Sequence, residues 1–169
     1  MIGLCNNNEY APPVILIDDS YVNTHGTFYD QSGSHSTSAN MYGSYGGFQF
    51  NGRNTSGSNY FGIRWECSFN FDNLNYLFFR YMGYIHGNLA VKITDSSGTI
   101  ITSLTKVYGS YTLGQWQTAT MNITNVTGVN TLTFGGGYSD STGNTSSYTR
   151  YAEVLLYHDP ANLVGKYTI

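Results

Sequence analysis

The chain has 169 residues, of which 40% are hydrophobic and only 10% charged, where an average domain has about a quarter charged. That length fits one domain with one sizeable core, and sixteen Tyr and nine Phe exclude a disordered chain. The net charge is −3 and the seven Lys and Arg are scattered, so there is no phosphate-binding footprint and no nucleic-acid partner is expected.

No apolar run approaches the roughly 18 residues of a membrane span. The longest is Val14-Ile15-Leu16-Ile17, which is strand-sized, so membrane insertion is not expected. Met1 to Cys5 has neither a basic nor an apolar region of the kind a signal peptide needs. Cys5 and Cys67 are the two cysteines. They read as buried or idle thiols, with a disulfide as the alternative, and no second Cys or His stands at metal-ligand spacing.

In chain order, residues 1–13 read as an irregular N-terminal extension of a single domain spanning 1–169. Val14 to Ile17 is a first strand. Asp18 to Gly46 is polar and Gly/Ser-rich, and reads as long loops with short strands, before a strand at Gly47 to Asn51. From Phe61 to Phe71 every odd position is apolar and every even one is Gly, polar or charged. That strict alternation predicts a strand, or two strands joined by a bend, with one face in a core, with Phe61, Ile63, Trp65, Cys67, Phe69 and Phe71 inward. Asp72-Asn73 is a turn. Tyr76 to Tyr81 follows as a mostly buried strand, with Leu77, Phe79 and Tyr81 on one face.

Asn88 to Thr94 alternates through Leu89, Val91 and Ile93, and Asp95-Ser96-Ser97-Gly98 is a hairpin turn into Thr99 to Leu104. After a polar stretch, Gln115 to Ile123 places Ala119, Met121 and Ile123 inward. Thr131 to Phe134 is another strand. A Gly/Ser/Thr/Tyr loop, Gly135 to Ser147, precedes the last strand, Arg150 to Tyr157. Helical spacing is nowhere sustained, and many short strands between turn signals predict an all-β antiparallel sandwich.

From Tyr76 onward the order of features is distinctive: Leu89 to Ile100 with its D-x-x-G turn, then Leu113-Gly114-Gln115-Trp116-Gln117-Thr118, then Gly128-Val129-Asn130-Thr131-Leu132. This half of the chain resembles the galactose-binding-like β-jelly-roll of family 6-like carbohydrate-binding modules. The Gly/Ser/Asn/Tyr-rich, charge-poor composition also resembles modules of tailed-phage tail and baseplate receptor-binding proteins.

The resemblance implies a non-catalytic module for a cell-surface polysaccharide, present in several copies in an adhesion assembly, extracellular or on a virion surface. Such binding needs aromatic faces for pyranose C–H surfaces and fixed polar groups for hydroxyls. In the resembled modules the loop before the final strand supplies both. Here that makes Tyr138 and Tyr148 the platform candidates and Asp140 and Arg150 the hydrogen-bonding ones.

A second cluster, Tyr42 to Tyr45 and Arg53 to Tyr60, offers Tyr45, Arg53 and Tyr60 as an opposite wall. Trp65 reads as core. Trp116 reads as packing at the sandwich edge, or as a platform if exposed. The resemblance also implies a structural calcium shared by the first and last strands, with Asp18, Asp19 and Glu153 as ligands and turn chemistry as the alternative; no other cofactor is expected. The four histidines, His25, His35, His86 and His158, stand far apart without a paired carboxylate. No pair of carboxylates is marked for glycosidase chemistry, and no nucleophile elbow or phosphate loop is present. The alternative function is a structural or oligomerising virion module that contacts protein.

Overall fold

A computed structural model of the chain describes residues 4–5, 14–30, 33–52, 61–84, 87–107, 109–136 and 148–163. Among these, twelve strands run in the order β1 (Leu4–Cys5), β2 (Val14–Ile17), β3 (Thr27–Asp30), β4 (Gly33–Tyr42), β5 (Tyr45–Gly52), β6 (Ile63–Asn70), β7 (Tyr76–Tyr84), β8 (Leu89–Thr94), β9 (Ile100–Lys106), β10 (Gln117–Asn122), β11 (Val129–Gly136) and β12 (Tyr148–Tyr157). One helix, α1 (Asp19–His25), follows β2, and a 3-10 turn, Pro160–Leu163, follows β12.

The strands form two sheets. The first has the order β1-β6-β11-β8-β9, with β3 also on β6; the second has the order β10-β7-β12-β5-β4, with β2 also on β12. All pairings are antiparallel except that of β1 with β6. The fold is an all-β sandwich of jelly-roll type.

Alternation in β6 translates directly into packing. Ile63, Trp65, Cys67 and Phe69 are fully buried, as is Phe71 just beyond the strand. Phe61 departs from the expectation: it lies before β6 and packs under the Lys92 ammonium, 4.4 Å from its ring centroid, instead of in the core. Phe48, Phe79, Phe134 and Tyr151 meet between the sheets, with Phe134 and Tyr151 at 4.9 Å and edge to face. This geometry suits the ring quadrupoles.

The Tyr151 hydroxyl bridges the sheets. It donates to the Gly135 carbonyl at 2.6 Å and accepts from the Ala90 amide at 3.0 Å. Burial pushes its phenol well above the usual range, so it stays a neutral donor. At the β8–β9 turn, Asp95 Oδ1 accepts from the Ser97 and Thr99 amides and the Ser97 hydroxyl, and Gly98 adopts φ 84°. The Ser97 hydroxyl is the main reason the Asp95 carboxyl lies below its ordinary pKa.

Two features lie in the stretch expected to be loops. Helix α1 forms because Asp18 caps it, its Oδ1 accepting from the Tyr21 amide at 2.8 Å. One residue, Val22, is buried from it, too few for a periodic signal. Strand β4 is ten residues long, but as an edge strand it carries Ser34, Ser36 and Ser38 on one face and His35 and Thr37 on the other, and so lacks apolar alternation. Gly26, between α1 and β3, is required as glycine: a Cβ there would stand 2.2 Å from Trp65 Nε1.

The expectation of idle thiols is corrected. Cys67 is disulfide-bonded, and among the described residues no cysteine is free; the backbone of Cys5, the other cysteine in the sequence, lies in β1, which pairs with β6. Parallel pairing of segments far apart in sequence is a tertiary fact that cysteine spacing does not reveal. Reducing the bond is expected to destabilise the chain by about 2–4 kcal/mol. Urea unfolding with and without dithiothreitol checks this, and coincident curves would refute it.

Candidate functional site

The second sheet has a core face and an outer face, and strand parity assigns each residue. In β7, Leu77, Phe79 and Tyr81 join the core, which leaves Tyr76, Phe78, Arg80, Met82 and Tyr84 on the outer face. The register with β12 sets Tyr84 beside Tyr148, Met82 beside Arg150 and Arg80 beside Ala152. The register of β12 with β5 adds Asn51, Gln49 and Gly47 to these rows, and β4 adds Ser34, Ser36 and Ser38. On the other side, Thr118 of β10 stands beside Arg80, and Trp116, one step beyond the Gln117–Tyr81 pair, continues the Met82 row.

The central row is therefore Met82, Arg150, Gln49 and Ser36, with Trp116, just before β10, at its end. Its four strands span about 14 Å at the usual interstrand spacing.

This row is flanked on both sides. On one side the Tyr84 and Tyr148 rings stack at 5.1 Å with 13° between planes, and Tyr84 is 41% exposed. The Gly114 amide donates to the Gly83 carbonyl at 2.9 Å and holds the segment before β10 against this edge. On the other side the tip of the β4–β5 hairpin folds over the sheet. Gly47 makes room for it: a Cβ there would meet Met41 at 2.9 Å and the Tyr151 carbonyl at 2.2 Å. Tyr42 then reaches across, its ring 4.4 Å from the Arg80 guanidinium, edge-on to Trp116 at 5.2 Å and stacked on Tyr45 at 6.1 Å.

Polar groups on the floor are oriented by one another. Gln49 donates through Nε2 to Asn51 Oδ1 and accepts at Oε1 from Arg150 Nε. The Arg150 guanidinium also lies 4.4 Å from the Tyr148 ring centroid. Beneath Tyr42, Arg80 Nε donates to Glu153 Oε2. Glu153 is 0% exposed and Arg80 9%. Glu153 sits where the β12 register shifts and has φ 49°. The bulge keeps Ala152 and Glu153 on the outer face while Tyr151 and Val154 both point into the core. Below Arg80 the face turns apolar, with Phe78, Leu155 and Tyr157 buried together.

Of the residues expected to bind, Tyr148, Arg150 and Tyr45 all lie on this outer face. Tyr138, Asp140, Arg53 and Tyr60 fall outside the described residues, as does His86. The structure adds Tyr84, Met82, Gln49 and Arg80, and brings to the face Tyr42, from the cluster expected as an opposite wall, and Trp116, expected as a platform if exposed. For Arg80, Met82 and Tyr84 the signal was the other half of the β7 alternation: even positions 80, 82 and 84 are Arg, Met and Tyr next to a core-facing odd set. Trp65 is core, and its Nε1 donates to the Val22 carbonyl at 3.1 Å. One histidine reading is corrected. His35 does have a paired carboxylate, with Nδ1 2.5 Å from Asp30 Oδ2, and it stacks on Phe28.

The expected calcium ligands do not fit that ion. Ile17 of β2 pairs with Val154 of β12, so Asp18, one residue beyond β2, follows the strand that neighbours the one carrying Glu153. However, the Glu153 carboxylate is held by Arg80 and Asp18 Oδ1 caps α1. Among the described residues no group of three or more His, Cys, Asp or Glu could hold a metal ion. Calcium needs six to eight oxygen ligands, and a guanidinium on one carboxylate already neutralises the charge it would seek.

No protein-family model and no curated protein matches the sequence. Solved structures match the fold. A family 11 carbohydrate-binding module from Clostridium thermocellum, in complex with a β-1,3-1,4-mixed-linked tetrasaccharide, aligns at TM-score 0.51 and 12% identity, covering 88% of this chain and 97% of that one. A family 11 module of a cellulosomal cellulase of the same organism aligns at TM-score 0.50 and 12% identity, covering 88% and 96%. The chain thus shares with these modules the two-sheet, jelly-roll β-sandwich fold.

Proposed function

We propose that the chain is a non-catalytic carbohydrate-binding module that takes saccharide across the outer face of the β10-β7-β12-β5-β4 sheet. The observation that carries this reading is the row of Met82, Arg150 and Gln49 set between two aromatic flanks, Tyr84–Tyr148 and Tyr42–Trp116. The rings offer apolar faces and edges for pyranose C–H surfaces, and the amide and guanidinium groups offer donors and acceptors for hydroxyls. All but Trp116, which lies just before β10, stand on paired strands, so little conformational entropy is lost on binding. Among the described residues the acidic side chain on this face is Glu153, buried against Arg80, which leaves no carboxylate pair across the face for glycoside hydrolysis.

The module would serve a phage tail or baseplate device that adheres to a host polysaccharide, a reading supported by the Gly/Ser/Asn/Tyr-rich, charge-poor composition. The Cys67 disulfide supports an oxidising, extracellular setting. Tyr138, Asp140, Arg53 and Tyr60 remain proposed contributors from neighbouring loops. A shallow face predicts weak single-site affinity, on the order of 0.01–1 mM, raised by several copies in one assembly.

Tyr148→Ala and Trp116→Ala are each expected to lower affinity about tenfold, near 1.4 kcal/mol, without unfolding the chain. A glycan array followed by titration calorimetry tests this. Two variants that bind as wild type would remove the site from this face. The protein-contact alternative draws on the edge strand β9, where Ile100 and Ile101 are exposed. It predicts concentration-dependent assembly in light scattering and no glycan response.

A further inference from the structure

The charges on this face are not symmetric. Arg80 is neutralised by Glu153 and lies beneath Tyr42. Arg150, half-buried at the centre of the row, has a neutral amide as its hydrogen-bond acceptor and an aromatic ring beside it, and no carboxylate among the described residues pairs with it. Its Nε is engaged by Gln49, and Gln49 is in turn fixed through Asn51. The guanidinium plane is thereby oriented, and both Nη groups, with four N–H donors, remain for a ligand.

A hydroxyl can accept from such donors but leaves the charge uncompensated. A carboxylate matches the two Nη groups with two oxygens and cancels the charge. The surrounding Tyr148, Tyr84 and Met82 side chains shield that contact from water and strengthen it.

Resting on the saccharide-binding reading, we propose that this face selects sugars carrying a carboxylate, of the uronic or sialic acid class, with the carboxylate on Arg150 and the ring against the flanking aromatics. The intact chain is titrated with polygalacturonate, alginate and polysialic acid, each beside its carboxyl-reduced product, and with neutral galactan, xylan and mixed-linkage β-glucan. At least one acidic polymer is expected to bind about tenfold tighter than its reduced form, with affinity falling as salt rises. Arg150→Gln abolishes that preference, and Arg150→Lys keeps part of it.

Equal binding of acidic and reduced forms, or a preference surviving in Arg150→Gln, overturns the proposal. Neutral polymers bound without acid preference overturn it while leaving the saccharide reading intact; no binding to any polymer overturns both. Should Arg150→Gln fail to fold, the comparison of each acidic polymer with its reduced form decides on the unmodified chain.

Discussion

Arg80→Met is expected to lower the unfolding free energy by about 3–5 kcal/mol, because it strands a buried carboxylate. Glu153 is 0% exposed, and among the described residues its Oε1 already has no hydrogen-bond partner. Arg80 supplies the bond to Oε2 from the neighbouring strand. Without the guanidinium, Glu153 must either take up a proton or pull the β12 bulge open to water, and both cost stability. The pair Arg80→Met with Glu153→Gln removes both charges together and is expected to recover most of the loss. Urea unfolding of wild type and the two variants checks this; an Arg80→Met variant within about 1 kcal/mol of wild type would show that water reaches the pair. Tyr42 loses its cationic seat in the same variant, so saccharide affinity should fall with stability, and the double variant should restore the second more than the first.

Trp65→Ala is expected to cost about 3–5 kcal/mol through the cavity it leaves. Trp65 is fully buried from β6, touches Phe48 and Phe134, and donates to the Val22 carbonyl of α1. Truncation leaves that carbonyl without its donor and loosens the helix from the sandwich. The outer face of the second sheet lies on the far side of the core, so affinity measured well below the melting temperature should be unchanged. Lower stability with retained binding would separate core from site. Lost binding in the folded variant would show that the face depends on this packing.

The sequence was most legible where one face of a strand is buried and the other wet. β6 alternates strictly, and its odd-numbered residues are core; in β8 the odd-numbered Leu89, Val91 and Ile93 are core as read, although Ala90 and Thr94 are buried as well. The D-x-x-G turn at Asp95 to Gly98 is local chemistry and forms as read. β4 was not legible, because an edge strand with polar residues on both faces carries no periodic signal. Helix α1 was not legible either: with Val22 as its buried residue, it is held by a cap and by packing instead of by an amphipathic pattern.

The candidate site divides in the same way. Residue types suited to sugars, Tyr148, Arg150 and Tyr45 among them, stand out in the sequence as aromatic and polar groups near turns. Their common surface does not. Tyr84 lies 64 residues before Tyr148 and stacks on it only because β7 and β12 pair in that register. Arg80 and Glu153 meet across the same pairing, with |i−j| of 73, and turn an expected metal ligand into half of an ion pair. From the residues alone the chain reads as all-β, with most core positions of β6, β7 and β8 and the turn at Asp95 to Gly98, since alternation, burial and turn chemistry act over a few residues. Strand neighbours, the Cys67 bond and an Arg150 that no carboxylate among the described residues compensates emerge only from the folded chain. Each of those depends on strand order and register between distant segments, and local periodicity contains no term for either.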